Sequence, residues 1–302
     1  YIKNQSVKKA NAKAVVSFQA MNQEQLSSYQ LTGDDKVKNV LLVGADKRGS
    51  ETGYGRSDCM LIASVDTKNN QLKLTSLLGD MYVEIPGYGE NRLSMAYSIG
   101  GISLLYETIA SNFGIRLDHY AIIEFQNFVS IIDQVGGVDI NVTEFEARYL
   151  QEHYTNVAGR VAIGENRLNG TQALAYVRIK QDAAGDFGRT VRQRKVMKSL
   201  YKQLTGTSIS NLIPIMDKIL SEIVTDIDGE SMKSYLASVI ALSSNDLMEY
   251  TVPSDKEYEA QVLDGTLIYR VDAQTIKESM MDFIYNPVQQ ENIPATTQEE
   301  AE

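Results

Sequence analysis

Residues 39 to 44, NVLLVG, form an apolar run that ends at a glycine, with Asp46 just beyond it. A run of this kind reads as a buried strand that delivers a carboxylate to one edge of a sheet. Residues 59 to 66 and 71 to 78 are two further strand candidates, joined by a turn at Lys68-Asn69-Asn70, so a hairpin follows the first strand. The pattern turns helical from Leu93 to about Asn112, and Gly114 supplies a stop. A strand at 119 to 125, a helix at 126 to 135, a break at Gly136-Gly137 and a strand at 138 to 142 come next. This alternation predicts an α/β fold in which helices cover a sheet. Residues 143 to 169 lack a clean period and are expected to be an irregular excursion, the place where specificity would vary. Helices are predicted at 170 to 178, 188 to 205, 211 to 224, 230 to 243 and 273 to 285. Strands near 246 to 252 and 261 to 271 are expected to complete the same sheet.

Composition narrows the function. The 302 residues carry a net charge of -10, which argues against nucleic acid as a partner, since each phosphate contact needs a Lys or Arg. One cysteine, Cys59, cannot form an internal disulfide and reads as a small buried thiol. With only His119 and His153, zinc sites and Ser-His-Asp triads have little to build on, so a metal here should be hard and oxygen-bound. No stretch reaches the roughly 18 apolar residues that a membrane-spanning helix needs. The sequence begins at Tyr1 rather than Met, and a preceding segment is expected. Lys3, Lys8, Lys9 and Lys13 and the Glu291 to Glu302 tail read as solvated ends. The expected organisation is a leading segment over 1–36, one domain over 37–286 and a flexible acidic tail over 287–302.

The helix predicted from Gly188 is the most informative segment. At 100° per residue, Arg189, Arg192 and Gln193 share a face with Val196 and Leu200, so the arginines turn inward at the helix start. A buried guanidinium must be paired. An anionic ligand at the helix N-terminus would supply the partner, and so would salt bridges to Asp182 or Asp186. Arg178 and Lys180 add a second basic pair nearby. Asp46 and Asp58 could reach one sheet end together, with Gly44, Gly49, Gly53 and Gly55 letting the loop between them fold tightly. Two carboxylates with phosphate oxygens and water would satisfy Mg²⁺. The alternative has Asp46 capping a turn and Asp58 neutralising Arg56. Gly53-Tyr54-Gly55 is only a fragment of a dinucleotide fingerprint. The apolar helices at 93 to 112 and 126 to 135 are read as ordinary core, with a lipid cavity as the other option.

The run NVLLVGADKRG, then GRSD, LTSLLGDMYVEIPGYGENRLSMAYSIGG, DHYAIIEF, DQVGGVDINV, LNGTQALAYVRIK and DFGRTVRQRKV resembles the LytR-CpsA-Psr family of cell-wall glycopolymer ligases across residues 39 to 205. Several motifs in one order are more specific than any one of them. The resemblance implies a single α-β-α domain with a mixed central sheet, a lipid-lined pocket and a pyrophosphate site at its mouth. It implies a membrane protein with an extracytoplasmic domain, held by one N-terminal helix that would precede Tyr1. Its activity would be phosphotransfer of a secondary wall polymer, such as teichoic acid or capsular polysaccharide, from a polyprenyl-diphosphate carrier to a muramic-acid hydroxyl of peptidoglycan.

By motif, Asp46 and Asp58 match the family's Mg²⁺ carboxylates. Arg178 and Arg189 match its catalytic arginines, with Lys180, Arg192, Gln193 and Arg92 expected on the diphosphate. Lys180 stands where many members have Arg, and Ser94 replaces a common Asn. The larger departure is Gly79-Asp80, where members usually read Arg-Asp. Losing a charge-assisted contact costs about 1.5 to 3 kcal/mol in binding, and about 10² to 10³ in rate if it acts in the transition state. A non-catalytic scaffold that holds the lipid-linked polymer is therefore the alternative expectation.

Overall fold

The computed structural model describes residues 28–46, 54–182, 184–207, 209–242 and 247–289. In chain order the elements are β1 (Val37–Asp46), β2 (Arg56–Asp66), β3 (Gln71–Leu77), β4 (Met81–Ile85), β5 (Gly89–Arg92) and α1 (Leu93–Phe113). There follow β6 (His119–Glu124), α2 (Phe125–Gln134), β7 (Val138–Val142), α3 (Glu144–Ala158), β8 (Gly164–Leu168), α4 (Gly170–Val177) and α5 (Gly185–Thr205). The chain ends with α6 (Ile209–Glu222), β9 (Val224–Thr225), α7 (Gly229–Ala241), β10 (Leu247–Val252), β11 (Tyr258–Leu263), β12 (Thr266–Val271) and α8 (Ala273–Tyr285).

The central sheet is mixed, in the order β10-β3-β2-β1-β6-β9. β1 pairs antiparallel with β2 and parallel with β6, and β10 pairs parallel with β3. Strand alternation sends Leu41, Val43 and Ala45 to one face, where they join α1 and α8 in a core that includes Leu105, Ile109 and Met280. The other face is covered by α2, α4 and α5, whose core contains Ile132, Ala173 and Val196. The apolar character of β1 therefore follows from its central place between two helical layers. Gly114 caps α1 in the left-handed region, at φ 64°, as expected of its C-terminal glycine.

Three expectations are corrected. The stretch 143 to 169 is not irregular but forms α3 and β8. A capping box starts α3: the Thr143 side chain accepts from Glu146 N while the Glu146 carboxylate accepts from Thr143 N. The strand expected over 261 to 271 is two strands, because Asp264 and Gly265, at φ 48° and 75°, turn the chain back on itself. Nor do all the late strands extend the first sheet: β10 joins it, whereas β11 and β12 build a second sheet in the order β11-β12-β4-β5. β4 and β5 were not anticipated, being only 5 and 4 residues long.

Tyr29 and Leu31 pack against the α1/α8 core, and Thr32 N donates to Gly114 O, so residues shortly before β1 belong to the folded unit. Residues 1–27, the glycines at 49 and 53 and the Glu291 to Glu302 tail lie outside the described residues. Among the described residues no helix is long and apolar enough to cross a membrane.

The last helix is fastened by a buried lysine. Lys73 Nζ, fully buried in β3, donates to Asp66 Oδ2 at 2.8 Å and to the carbonyls of Ile284 and Asn286 at 2.9 and 2.7 Å. Burial pulls the lysine's pKa down in spite of Asp66, so the two carbonyls complete what the ion pair alone does not. Lys73→Met should lower unfolding stability by about 3 to 5 kcal/mol in urea denaturation at neutral pH, because Asp66 is left charged and buried. A loss under about 1 kcal/mol would show that the Asp66 turn does not depend on the lysine.

Candidate functional site

A bulge in β2 creates the floor of the site. Gly44 pairs with Cys59 but Ala45 pairs with Ser57, which leaves Asp58 as the extra residue. Its consequence is a change of face. Ser57 Oγ donates to the Ser94 carbonyl on the α1 side, whereas Asp58 and Cys59 both line a cavity under the opposite face of the sheet. Without the bulge, strict alternation would send Asp58 and Cys59 to opposite faces.

The cavity measures about 290 Å³ and its walls include Leu42, Leu61, Ile123, Phe128, Leu174 and Val177. One of the two apolar helices read as core, α2, thus also lines the cavity, while α1 packs on the other side of the sheet. Cys59, expected in plain core, is half-buried on the cavity wall. Burial pushes its thiol up to about 12 even with Arg189 nearby, so it stays neutral and serves as apolar wall.

Cations gather at one end. Arg56, Asp58, Arg178, Lys180, Arg189 and Gln193 all line it. The Arg178 guanidinium lies 4.9 Å from the Phe125 ring centroid, an arrangement that offsets part of its desolvation. Arg189 is 2.6 Å from Asp186 Oδ1, yet its Nε is buried with no hydrogen-bond partner among the described residues. A buried donor in this state is costly, and a ligand oxygen would satisfy it. Gln193 Nε2 donates to the Asp58 carbonyl at 3.1 Å, tying α5 to the bulge. Lys180 Nζ donates to Asp80 Oδ2 at 3.1 Å and lies 3.6 Å from Asp186.

Two expected binding residues have other placements. Arg192 does not line the cavity: it is buried against Glu146 at 2.8 Å, Asp182 and the Ile179 carbonyl. The pairing alternative is thus realised for both arginines, Arg192 with Asp182 and Arg189 with Asp186. Gly188 lets Asp182 come this close, since a Cβ there would stand 2.7 Å from Asp182 Oδ2. Arg92 is also absent from the cavity lining and donates to Asp80 Oδ1 at 3.1 Å. Asp80 and Asp186 therefore hold three of the cations, Arg92, Lys180 and Arg189, in place. Asp186 is one of the two salt-bridge partners expected from the sequence, and Asp80 is marked there only as the neighbour of Gly79.

The acids fit a hard cation by donor chemistry. The Asp58 carboxylate makes no hydrogen bond among the described residues, and its nearest cation, Arg56, is 3.9 Å away. Asp46 is buried at the end of β1, across from Arg56 and on the same strand face as Leu42 and Gly44. Among the described residues no group of three or more His, Cys, Asp or Glu could hold a metal alone. Two carboxylates match Mg²⁺, which takes one or two from protein and completes its shell with water and phosphate.

The LytR_cpsA_psr family model matches residues 1–282. The regulatory protein MsrR of Staphylococcus aureus is 32% identical over 256 residues, covering 83% of this chain and 75% of that protein. The chain belongs to the LytR-CpsA-Psr family. The polyisoprenyl-teichoic acid–peptidoglycan teichoic acid transferase TagU of Bacillus anthracis is 35% identical over 200 residues, 64% of this chain and 62% of that protein. Solved structures share the fold. B. subtilis TagV superposes with a TM-score of 0.70 at 24% identity, over 84% of this chain and 100% of that one. YwtF (TagT) with bound octaprenyl pyrophosphate gives a TM-score of 0.65 at 20% identity, over 84% and 93%. The family likeness thus spans both helical layers and the sheet that carries the bulge.

The two buried arginines should separate by experiment. Arg192→Ala leaves Glu146 and Asp182 without their cation and should cost about 3 to 5 kcal/mol of unfolding stability. Arg189→Ala, at the cavity, should cost under about 2 kcal/mol while weakening pyrophosphate binding at least tenfold by calorimetry. Equal stability losses would refute the division of labour.

Proposed function

We propose that this protein is a Mg²⁺-dependent phosphotransferase that moves a cell-wall glycopolymer from a polyprenyl-diphosphate carrier to peptidoglycan. The observation that carries the reading is a hydrocarbon-lined cavity of about 290 Å³ that ends in cations and a loosely paired carboxylate. Apolar walls suit a polyprenyl chain, and Arg178, Lys180, Arg189 and Gln193 suit its diphosphate. Family membership, the TagU relatives and the lipid-bound TagT neighbour support the same assignment. The family's cell-surface chemistry would place this domain outside the cytoplasmic membrane.

In the proposed reaction an acceptor hydroxyl oxygen attacks the polymer-linked phosphorus and its proton is released to water. The bond to the bridging oxygen breaks, and polyprenyl phosphate leaves with the electron pair. Arg178 and Arg189 would face that leaving group, and Arg189 Nε has an unmet hydrogen bond to give it. Bound at Asp46 and Asp58, Mg²⁺ would neutralise charge on the diphosphate oxygens. Asp80 accepts from both Arg92 and Lys180, which suits it to orienting those cations rather than to taking the acceptor's proton.

A second reading, binding without transfer, is favoured by Gly79. A Cβ at this position would lie 3.3 Å from Ser94 Cβ and 3.6 Å from Met60 Cε, so a side chain fits after a small shift. Transfer of polymer to a peptidoglycan fragment, followed by gel mobility with and without Mg²⁺, tests both readings. Arg189→Ala and Asp58→Ala should each lower turnover by about 10² or more, and Gly79→Arg should raise it by up to about 10². Turnover only after Gly79→Arg would establish the scaffold reading for the natural chain. Unchanged turnover in Arg189→Ala would remove the arginine assignment.

A further inference from the structure

The hairpin β11–β12 stands beside the cationic end of the cavity and carries a concentration of exposed aliphatic surface. Val262, Leu263 and Leu267 are 71%, 42% and 44% exposed, three of the seven large hydrophobic residues exposed among the described residues. Register pairs Val262 with Leu267, Ala260 with Tyr269 and Tyr258 with Val271. Alternation puts these six on one face, a continuous apolar stripe along the hairpin.

The base of that stripe is part of the site's surroundings. Tyr258 and Tyr269 pack on Phe187 with ring centroids 5.5 and 5.6 Å away, and Phe187 follows Asp186 in α5. Tyr269 N donates to the Asp80 carbonyl at 2.9 Å, while the Asp80 carboxylate holds Lys180 and Arg92. β12 runs parallel to β4 with Tyr269 opposite Met81. The residues before Tyr269 therefore extend past the Asp80 end of β4, by roughly 10 Å over three residues. The stripe begins at Phe187, beside the phosphate-binding cations, and continues uncovered to Val262 and Leu267.

We propose that this stripe is a membrane-contact surface that lies side-on against a lipid bilayer and brings the cationic end of the cavity to the donor's headgroup. The proposal rests on the reading of the donor as a polyprenyl-linked molecule. Such a donor must pass from bilayer to cavity, so apolar surface next to the cationic end has a partner in the acyl region. The exposed residues are Val and Leu, types under-represented at protein-protein hot spots, where Trp, Tyr and Arg predominate. A second copy on the free edge of β11 would bring together two chains of net charge -10, whereas a zwitterionic lipid surface carries no such repulsion. Asp264, at the turn, sets the orientation: a side-on hairpin leaves its carboxylate among the headgroups, while end-on insertion would bury it.

The chain has no tryptophan, so Leu267→Trp introduces a unique reporter. Mixed with phosphatidylcholine vesicles at 0.3 M NaCl, about 3 Å of Debye screening at 1 M and 10 Å at 0.1 M bracketing this condition, the indole should shift to shorter wavelength and be quenched by brominated acyl chains. The double variant Val262→Glu, Leu267→Glu, which changes the two exposed members of the stripe and leaves Leu263 on the opposite face, should partition onto the same vesicles at least tenfold less well than the parent chain, with its thermal melt unchanged. It should still transfer from a water-soluble, short-chain donor while slowing on a vesicle-embedded one. An indole unmoved by saturating vesicles overturns the proposal. So does a blue shift that grows with protein concentration in their absence, which would mark a contact between copies. Vesicle binding by a chain that transfers from neither donor would retain the membrane surface and discard the transferase reading instead.

Discussion

A charged group beside hydrocarbon is tolerable only with an opposite charge or a hydrogen bond at hand, and this requirement organises the cationic end of the cavity. Arg92 and Lys180 share Asp80, and Lys180 and Arg189 share Asp186. The chain thereby supplies its own anions where a diphosphate would otherwise be needed to hold the cations together. Three cations against two carboxylates leave one positive charge in that chain of contacts, and Arg178, stacked on Phe125, adds another. On the proposed reading, an entering diphosphate would meet a positive site whose side chains are already oriented, so less ordering would be left for the binding step.

The sheet makes this arrangement possible by ending several strands at the same place. β1 runs toward Asp46, β2 starts there, and β3, antiparallel to β2, returns to the same end before Gly79 and Asp80. The Asp58 bulge then turns a carboxylate into the cavity, and Gln193 locks the bulge to α5 through the Asp58 carbonyl. Arg192, one turn from Arg189, faces Glu146 and Asp182 instead. One helix thus supplies a ligand-facing side and a fastening side. The capping box that starts α3 is part of the fastening, because Glu146 serves both Thr143 N and Arg192.

The central strands and most helices were legible because their periodicity is set by burial. β1 between two helical layers and α1 ending at Gly114 follow directly from apolar spacing and a glycine. The stretch 143 to 169 hides its helix although Thr143 and Glu146 stand at capping-box spacing, since the polar, exposed half of α3 blurs the helical period. β4 and β5 are too short to show a strand period, and the Asp264-Gly265 turn signal is masked by the apolar residues on either side of it. At the site, helical spacing placed Arg189, Arg192 and Gln193 on one inward side. It could not separate Arg192 from the other two, because the partners Glu146 and Asp182 arrive from other parts of the chain. The Asp58 bulge was hidden for a similar reason, being a property of pairing between strands rather than of either strand alone.

Gly79 bears on how binding and turnover divide in such a site. Its carbonyl accepts from Ser94 N at 3.0 Å, so the turn between β3 and β4 is anchored to the start of α1 without any side chain at 79. The backbone path to Asp80 is therefore preserved, and Asp80 still holds Arg92 and Lys180. Relative to the Arg-Asp pattern, the departure removes a charge and leaves the frame. The remaining cations can hold a diphosphate that is already fully charged in the ground state. What a missing guanidinium withdraws most is stabilisation of charge that builds up only as the bond to phosphorus breaks. A cation of that kind governs turnover more than affinity, so on the proposed reading a chain with glycine here would keep a lipid-linked ligand and still turn it over slowly.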